Sequence, residues 1–230
     1  MFDVEAARDL ICRIGRSLFD RGYAHATAGN ISVQIPAEAG GGFLITPTDA
    51  CLGFLEPDTL ARLDPQLRQL GGAKASKTIV MHHKIYAATA STTHPARCVI
   101  HTHCTHCVAA TLAGRPAGGA DWELTPPITA YQVMKVGRTP VIAYGAPGAT
   151  VVADEVEGAV ARYAERQSPL RTVMLERLGP VVWGRDPIST MATLEELEET
   201  AKLWRTASSP ITPLSRDALD TLAATFGARW

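Results

Sequence analysis

The sequence is short of cysteine, of aromatic side chains, of net charge and of long apolar runs. Its five cysteines, Cys12, Cys51, Cys98, Cys104 and Cys107, lack the paired spacing of a disulfide framework. That excludes a small disulfide-stapled scaffold and points to a reducing compartment, with the cytoplasm as the expected location. Lys and Arg number 22 against 23 Asp and Glu, a formal net charge of -1. Such balance gives no reason to expect nucleic-acid or acidic-membrane partners. No apolar run approaches the roughly 20 residues that cross a bilayer. Met1 to Glu5 has neither the basic start nor the apolar core of a secretory leader. Repeats, low-complexity segments and a domain linker are also missing. What is present is a globular balance, 46% hydrophobic and 20% charged. The 230 residues are expected to form a single domain, 1–230, with an ample core and a tail from about 208.

Periodicity places the elements. Val4, Ala7, Leu10, Ile11, Ile14 and Leu18 recur at helical spacing, so Val4 to Arg21 reads as an amphipathic helix with Asp3 as N-cap and Gly22 as stop. Asn30 to Val33 alternates like a strand behind a Gly29-Asn30 turn, and Phe43 to Thr46 is its return. Leu60 to Asp64 is a short strand or turn, and Gly71-Gly72 a loop. Helices are expected from about Ser76 to Ala90, Thr105 to Leu112, Thr150 to Arg166, Ile188 to Trp204 and Arg216 to Phe226. Further strands are expected at Cys98 onward, Val141 to Tyr144, Thr172 to Glu176 and Pro180 to Gly184. The acidic stripe Glu195, Glu196, Glu198 and Glu199 reads as a solvated helix face. Alternating strands and helices with hairpin connections give an α/β class, helices layered on a central sheet.

The densest chemistry lies in His101-Thr102-His103-Cys104-Thr105-His106-Cys107. If the strand continues to His103, then His101 and His103 share a face. Two imidazoles at a strand end suit a divalent metal. Cys104 and Cys107 also carry the spacing of a redox or zinc pair, though no second pair exists to complete a zinc site. His82 lies one helical turn after Thr78, and His83 is turned away from that face.

The segments Gly29-Asn30-Ile31-Ser32-Val33, Ile45-Thr46-Pro47-Thr48, Ala75-Ser76-Lys77, His101-Thr102-His103 and Gly179-Pro180-Val181-Val182 occur in the order of class II aldolase/adducin domains. The resemblance spans about Val4 to Leu203. Within the family it looks most like the 3-oxo-tetronate 4-phosphate decarboxylase branch, through Pro126 to Gly137 and Leu194 to Lys202 among others. It implies a three-layer α/β fold with a largely antiparallel nine-stranded sheet, and a homotetramer with active sites between subunits. It implies C–C bond cleavage in a small sugar acid or sugar phosphate, aided by a divalent metal, zinc or manganese, held by three His. The metal ligands it assigns are His101 and His103. The phosphate falls to Gly29, Asn30, Thr48, Ser76 and Lys77, and Tyr131 matches a tyrosine beside the substrate.

The sequence departs from that pattern at two places. Thr78 stands where the family has its acid/base Glu, and Leu178 where it has the third metal His. A neutral hydroxyl does not shuttle protons near pH 7 as a carboxylate does, and a leucine binds no metal. Asp49 adds a negative charge near the phosphate, which Lys77 must offset. Glu176, two residues before Leu178, is an alternative third ligand; His106 or Cys104 is another, and a site without metal is the third outcome. Glu123 and Asp121 are candidate replacement acids. Three readings therefore stand: a metal-dependent lyase, a non-catalytic binding or assembly protein on the same fold, and an enzyme of altered chemistry using Glu176.

Overall fold

The computed structural model describes residues 3–115 and 122–230; Asp121 lies outside them. The chain runs α1 (Val4–Asp20), β1 (Asn30–Gln34), β2 (Phe43–Ile45), β3 (Ala61–Leu63), β4 (Gln69–Gly71), α2 (Ile79–Thr89), β5 (Cys98–His101), α3 (Thr105–Thr111), a π-helical turn (Gln132–Val136), β6 (Val141–Ile142), α4 (Thr150–Glu165), β7 (Thr172–Leu175), β8 (Gly179–Gly184), α5 (Pro187–Thr206) and α6 (Arg216–Phe226). The strands form one sheet in the order β4-β3-β2-β1-β5-β8-β7-β6, antiparallel except for β6 beside β7.

Period-two alternation divides the core into two layers. Along β5, Cys98 and Ile100 join the cluster under α1 and α5, while Val99 joins the cluster under α2 and α4. β8 repeats the pattern, with Val182 on the first side and Val181 and Trp183 on the second. Helix α1 buries Ala7, Ile11, Ile14 and Leu18 against the first layer. Each fully buried Ile or Leu contributes about 1.5–3 kcal/mol. Its start is set as the sequence predicts, the Asp3 carboxylate accepting from the Ala6 amide at 2.9 Å. Asp186 caps α5 in the same way, from the Ser189 amide at 2.8 Å.

Four expectations need correction. The sheet has eight strands among the described residues, not nine. Beyond β6 the described residues add an isolated bridge between Glu123 and Pro140, with the Leu124 amide on the Thr139 carbonyl and the Val141 amide on the Trp122 carbonyl. Pro140 has no N–H to extend that bridge, and Pro126 and Pro127 end the run. The sheet's other edge gains β4, where a loop was expected. All three of its residues are exposed, so no alternation marks it. Helix α2 begins at Ile79, not near Ser76. A bridge from Pro47 to Ala75 and a bond from the Ser76 amide to the Thr46 carbonyl hold that stretch extended. The acidic stripe is not simply solvated. Glu198 is 7% exposed and accepts from the His106 and Cys107 amides, capping α3. Glu195 pairs with Arg21, and Glu199 accepts from the Tyr23 hydroxyl. Among the described residues, no helix is long and apolar enough to cross a membrane.

Candidate active site

Four connections meet at one end of the central strands: the turn before β1, the loop after β2, the entry to α2 and the end of β5. Two glycines allow the approach. Gly29 sits at φ +95, and a Cβ there would lie 2.6 Å from the His101 carbonyl oxygen. Gly179 sits at φ +147, where a Cβ would lie 2.0 Å from the Thr102 carbonyl oxygen. Only glycine tolerates both the dihedral and the contact. They press β1 and β8 onto the His101–His103 segment from either side.

The result is a cavity of about 570 Å³. Gly29, Asn30, Thr48, Ser76, Lys77 and Thr78 line it, with His101, His103, Glu176 and Leu178. Every phosphate and metal position expected from the sequence is thus on one wall set. Asp49 lines it too, beside Lys77. Asn30 is 7% exposed, and its Oδ1 has no hydrogen-bond partner in the protein. A buried acceptor left open on a cavity wall is a place for a ligand donor. At the entry to α2 the Ile79 and Val80 amides bond the Ser76 and Lys77 carbonyls at 3.1 and 3.4 Å, so the positive end of the helix faces this wall with its first amides already paired.

Strand β5 ends at His101, two residues short of the expected His103. The two rings still lie side by side, with centres 5.0 Å apart. The His101 Nδ1 is 2.9 Å from the Pro180 carbonyl oxygen. A carbonyl only accepts, so Nδ1 carries the proton and Nε2 keeps its lone pair. Burial, and then the neighbouring His103, lowers the His101 pKa to about 4. Burial, and then His25, lowers that of His103. Behind them His82 is fully buried, its Nδ1 2.8 Å from the Ser32 hydroxyl, which also bonds Tyr86. Its Nε2 has no partner, and burial, aided by His101, lowers its pKa to about 3. His83 turns its edge to the Phe43 ring.

Other candidates fall elsewhere. Tyr131 is 61% exposed and lines a different cavity of about 460 Å³, with Arg171 and Arg185. Cys104 and Cys107 are buried and free. Burial pushes the Cys104 thiol up to about 12, which disfavours its thiolate. His106 is held by Glu198 at 2.8 Å. Neither Cys104 nor His106 is therefore placed to swing toward the metal position. Glu123 is occupied by the Tyr163 hydroxyl at 2.6 Å and the Thr139 amide at 2.8 Å, a structural role rather than that of a replacement acid. The Glu176 carboxylate accepts from the Tyr144 amide at 2.9 Å. His25, unmarked by the sequence reading, lies against His103 with ring centres 6.4 Å apart.

The profile of the class II aldolase and adducin N-terminal domain matches residues 9–205. The chain belongs to the class II aldolase and adducin family. It is 44% identical to a 3-oxo-tetronate 4-phosphate decarboxylase of Cupriavidus necator, over 97% of both chains. It is 28% identical to an L-fuculose phosphate aldolase of Methanocaldococcus jannaschii, over 83% of this chain and 91% of that one. The crystal structure of YgbL from Klebsiella pneumoniae superposes with a TM-score of 0.83 at 31% identity, over 96% of this chain and 100% of the other. The decarboxylase and aldolase relatives are lyases.

Against this family, the cavity keeps the residues that the resemblance assigns to phosphate and the two imidazoles it assigns to a metal. The position that the resemblance gives to a third metal His holds Leu178, half-buried and packed on the apolar layer. The position that the resemblance gives to an acid/base Glu holds Thr78, whose hydroxyl bonds Ser76. Two neutral imidazoles with free lone pairs fit a divalent ion; a leucine does not. Among the described residues, no three His, Cys, Asp or Glu side chains stand arranged to hold a metal.

Proposed function

We propose that the chain is a C–C lyase acting on a small phosphorylated sugar acid, by decarboxylation in the manner its 44%-identical relative is named for. The observation that carries this reading is the single cavity that joins Lys77, Asn30 and the α2 entry to His101 and His103. Lys77 neutralises a phosphate, the Asn30 side-chain NH2 donates to it, and the open Asn30 Oδ1 accepts from a sugar hydroxyl. That anchoring fixes the sugar's carbonyl end toward the imidazoles, and orientation of this kind lowers the barrier before any bond breaks. His101 and His103 are the residues that would hold zinc or manganese, which supplies Lewis-acid polarisation of a carbonyl when bound. The exposure of Tyr131, away from its own chain's cavity, supports a homotetramer in which it serves a neighbouring copy's site. Free thiols suit the cytoplasm.

The test is direct. Purified protein with zinc or manganese is supplied with 3-oxo-tetronate 4-phosphate, and carbon dioxide release is followed. L-fuculose phosphate serves as the aldol alternative, followed by aldehyde release. Mixing inactive His101→Ala and Tyr131→Phe chains should restore activity if the site is shared between copies. A second reading is favoured by Thr78 and Leu178 together: a binding protein that retains the anion wall without the chemistry. It predicts saturable binding of the sugar phosphate with no product.

A further inference from the structure

We propose that the cavity around Arg171 and Arg185 is a second binding site, for the phosphate group of a small molecule, separate from the cavity at His101. Such a site is additional to the proposed lyase chemistry and does not depend on it. The cavity measures about 460 Å³ and shares no lining residue with the first. Arg171 directly precedes β7, Arg185 directly follows β8, and His94 lies on the approach to β5. In the sheet Cys98 pairs with Gly184 and His101 with Val181. These side chains therefore gather at the end of the strands opposite His101. Lys135 joins them from the π-helical turn. Tyr131 is on the exposed side of this lining, so the site stands whether or not its hydroxyl serves a neighbouring copy.

Among the described residues, no ion pair holds Arg171, Arg185 or Lys135. The half-buried Arg171 guanidinium carries five N–H donors. Its Nη1 donates to the Met134 and Lys135 carbonyls at 2.8 and 3.1 Å, and its Nη2 to the His94 Nε2 at 2.9 Å. Each bond takes one hydrogen, so two donors are left over. His94 supplies an acceptor there and no negative charge. Burial, and then Arg171 and Arg185, lowers the His94 pKa. Burial, and then Arg185, lowers that of Arg171. Like charges thus meet in a partly desolvated space. Two carboxylates lie nearby, and neither neutralises the group. Glu196 lines the cavity, but burial and then Glu199 raise its pKa, the reverse of what a paired arginine does. Asp186 feels the Arg185 charge, yet it accepts from the Ser189 amide and hydroxyl at 2.8 and 2.7 Å and so caps α5. A phosphate dianion would take the two spare Arg171 donors and offset the repulsion. Three converging cations suit a dianion better than a monoanion. Trp183 and Met134 add apolar surface for an organic body.

The experiment is calorimetric titration of the full-length protein at low ionic strength, with inorganic phosphate and, separately, glycerol 3-phosphate. A Lys77→Ala background removes the cation of the first cavity, so the remaining binding reports the second. That background should bind one phosphate group per chain. Adding Arg185→Gln should weaken binding at least tenfold, and adding Lys135→Gln should weaken it too. Both side chains are exposed, and an unchanged thermal midpoint without phosphate checks that the variants fold. Adding Arg205→Gln, an exposed charge on α5 outside either cavity, should leave affinity unchanged. Tighter binding of glycerol 3-phosphate assigns the site to a phosphate monoester, and tighter binding of inorganic phosphate assigns it to the free ion; either supports the site. A background that binds neither probe overturns the proposal. So does Arg185→Gln binding as tightly as its background. Equal losses from Arg205→Gln and Arg185→Gln overturn it as well, because the attraction is then diffuse charge.

Discussion

His82 gives the protein a defined sensitivity to acid. The ring is fully buried, one nitrogen bonded to Ser32 and the other without a partner. Its pKa is lowered to about 3, first by burial and then by His101. In the unfolded chain the same ring takes a proton near 6.5. Between those values the unfolded state binds a proton that the native state does not, so stability rises with pH across the window. The contribution is complete above about 6.5 and falls as pH drops toward 3, by about 1.4 kcal/mol per pH unit. At pH 5 the His82 share of the loss is about 2 kcal/mol. Replacing His82 with Asn keeps a polar atom toward Ser32 and removes the titration. The variant is less stable at neutral pH because it leaves a cavity. Its loss between pH 7 and pH 5 should nevertheless be smaller than wild type's by about 2 kcal/mol. Urea unfolding of both proteins at pH 8, 7, 6 and 5, at one protein concentration, measures this. His101 titrates in both, so the difference isolates His82. Parallel losses in the two proteins would refute the reasoning.

Other outcomes follow from single contacts. Gly179→Ala should cost about 3 kcal/mol or more, from a forbidden dihedral and a carbonyl collision, read as a drop in thermal midpoint. Glu198→Ala leaves the His106 and Cys107 amides without their acceptor, and should cost about 2 kcal/mol in denaturant unfolding. Lys77→Ala should raise KM for a phosphorylated substrate about tenfold or more, with little effect on the dephosphorylated sugar acid, since a charged hydrogen bond is worth about 1.5–3 kcal/mol.

The elements whose residues face a core were legible, because burial imposes a period. Helix α1 has its apolar stripe and cap in plain sequence, and β5 and β8 have short β-branched runs. Strand β4 was hidden because it buries nothing and leaves no pattern. The start of α2 was misplaced because a tertiary bond, the Ser76 amide on the Thr46 carbonyl, overrides local propensity. Glu198 was misread because its acceptor role depends on α3, 91 residues away in sequence. His101 and His103 could be paired from sequence because strand and spacing put them together. His25 could not, because its neighbour is 78 residues on and the approach depends on a left-handed alanine.

The two departures from the family pattern do not weigh equally on function. Thr78 sits at the mouth of α2, where its hydroxyl bonds Ser76 and it lines the cavity. Decarboxylation of a 3-oxo acid expels carbon dioxide and leaves an enolate that any water can protonate, so a resident carboxylate is not needed for the bond to break. Aldol cleavage is different, because a hydroxyl proton must be removed as the carbon–carbon bond opens. Losing the Glu therefore costs aldolase chemistry more than decarboxylase chemistry, which agrees with the higher identity to the decarboxylase than to the aldolase. Leu178 bears on either reaction, because both develop negative charge on the carbonyl oxygen and need a cation or donor there. The position of Leu178, rather than that of Thr78, is thus where the chemistry of this chain is decided.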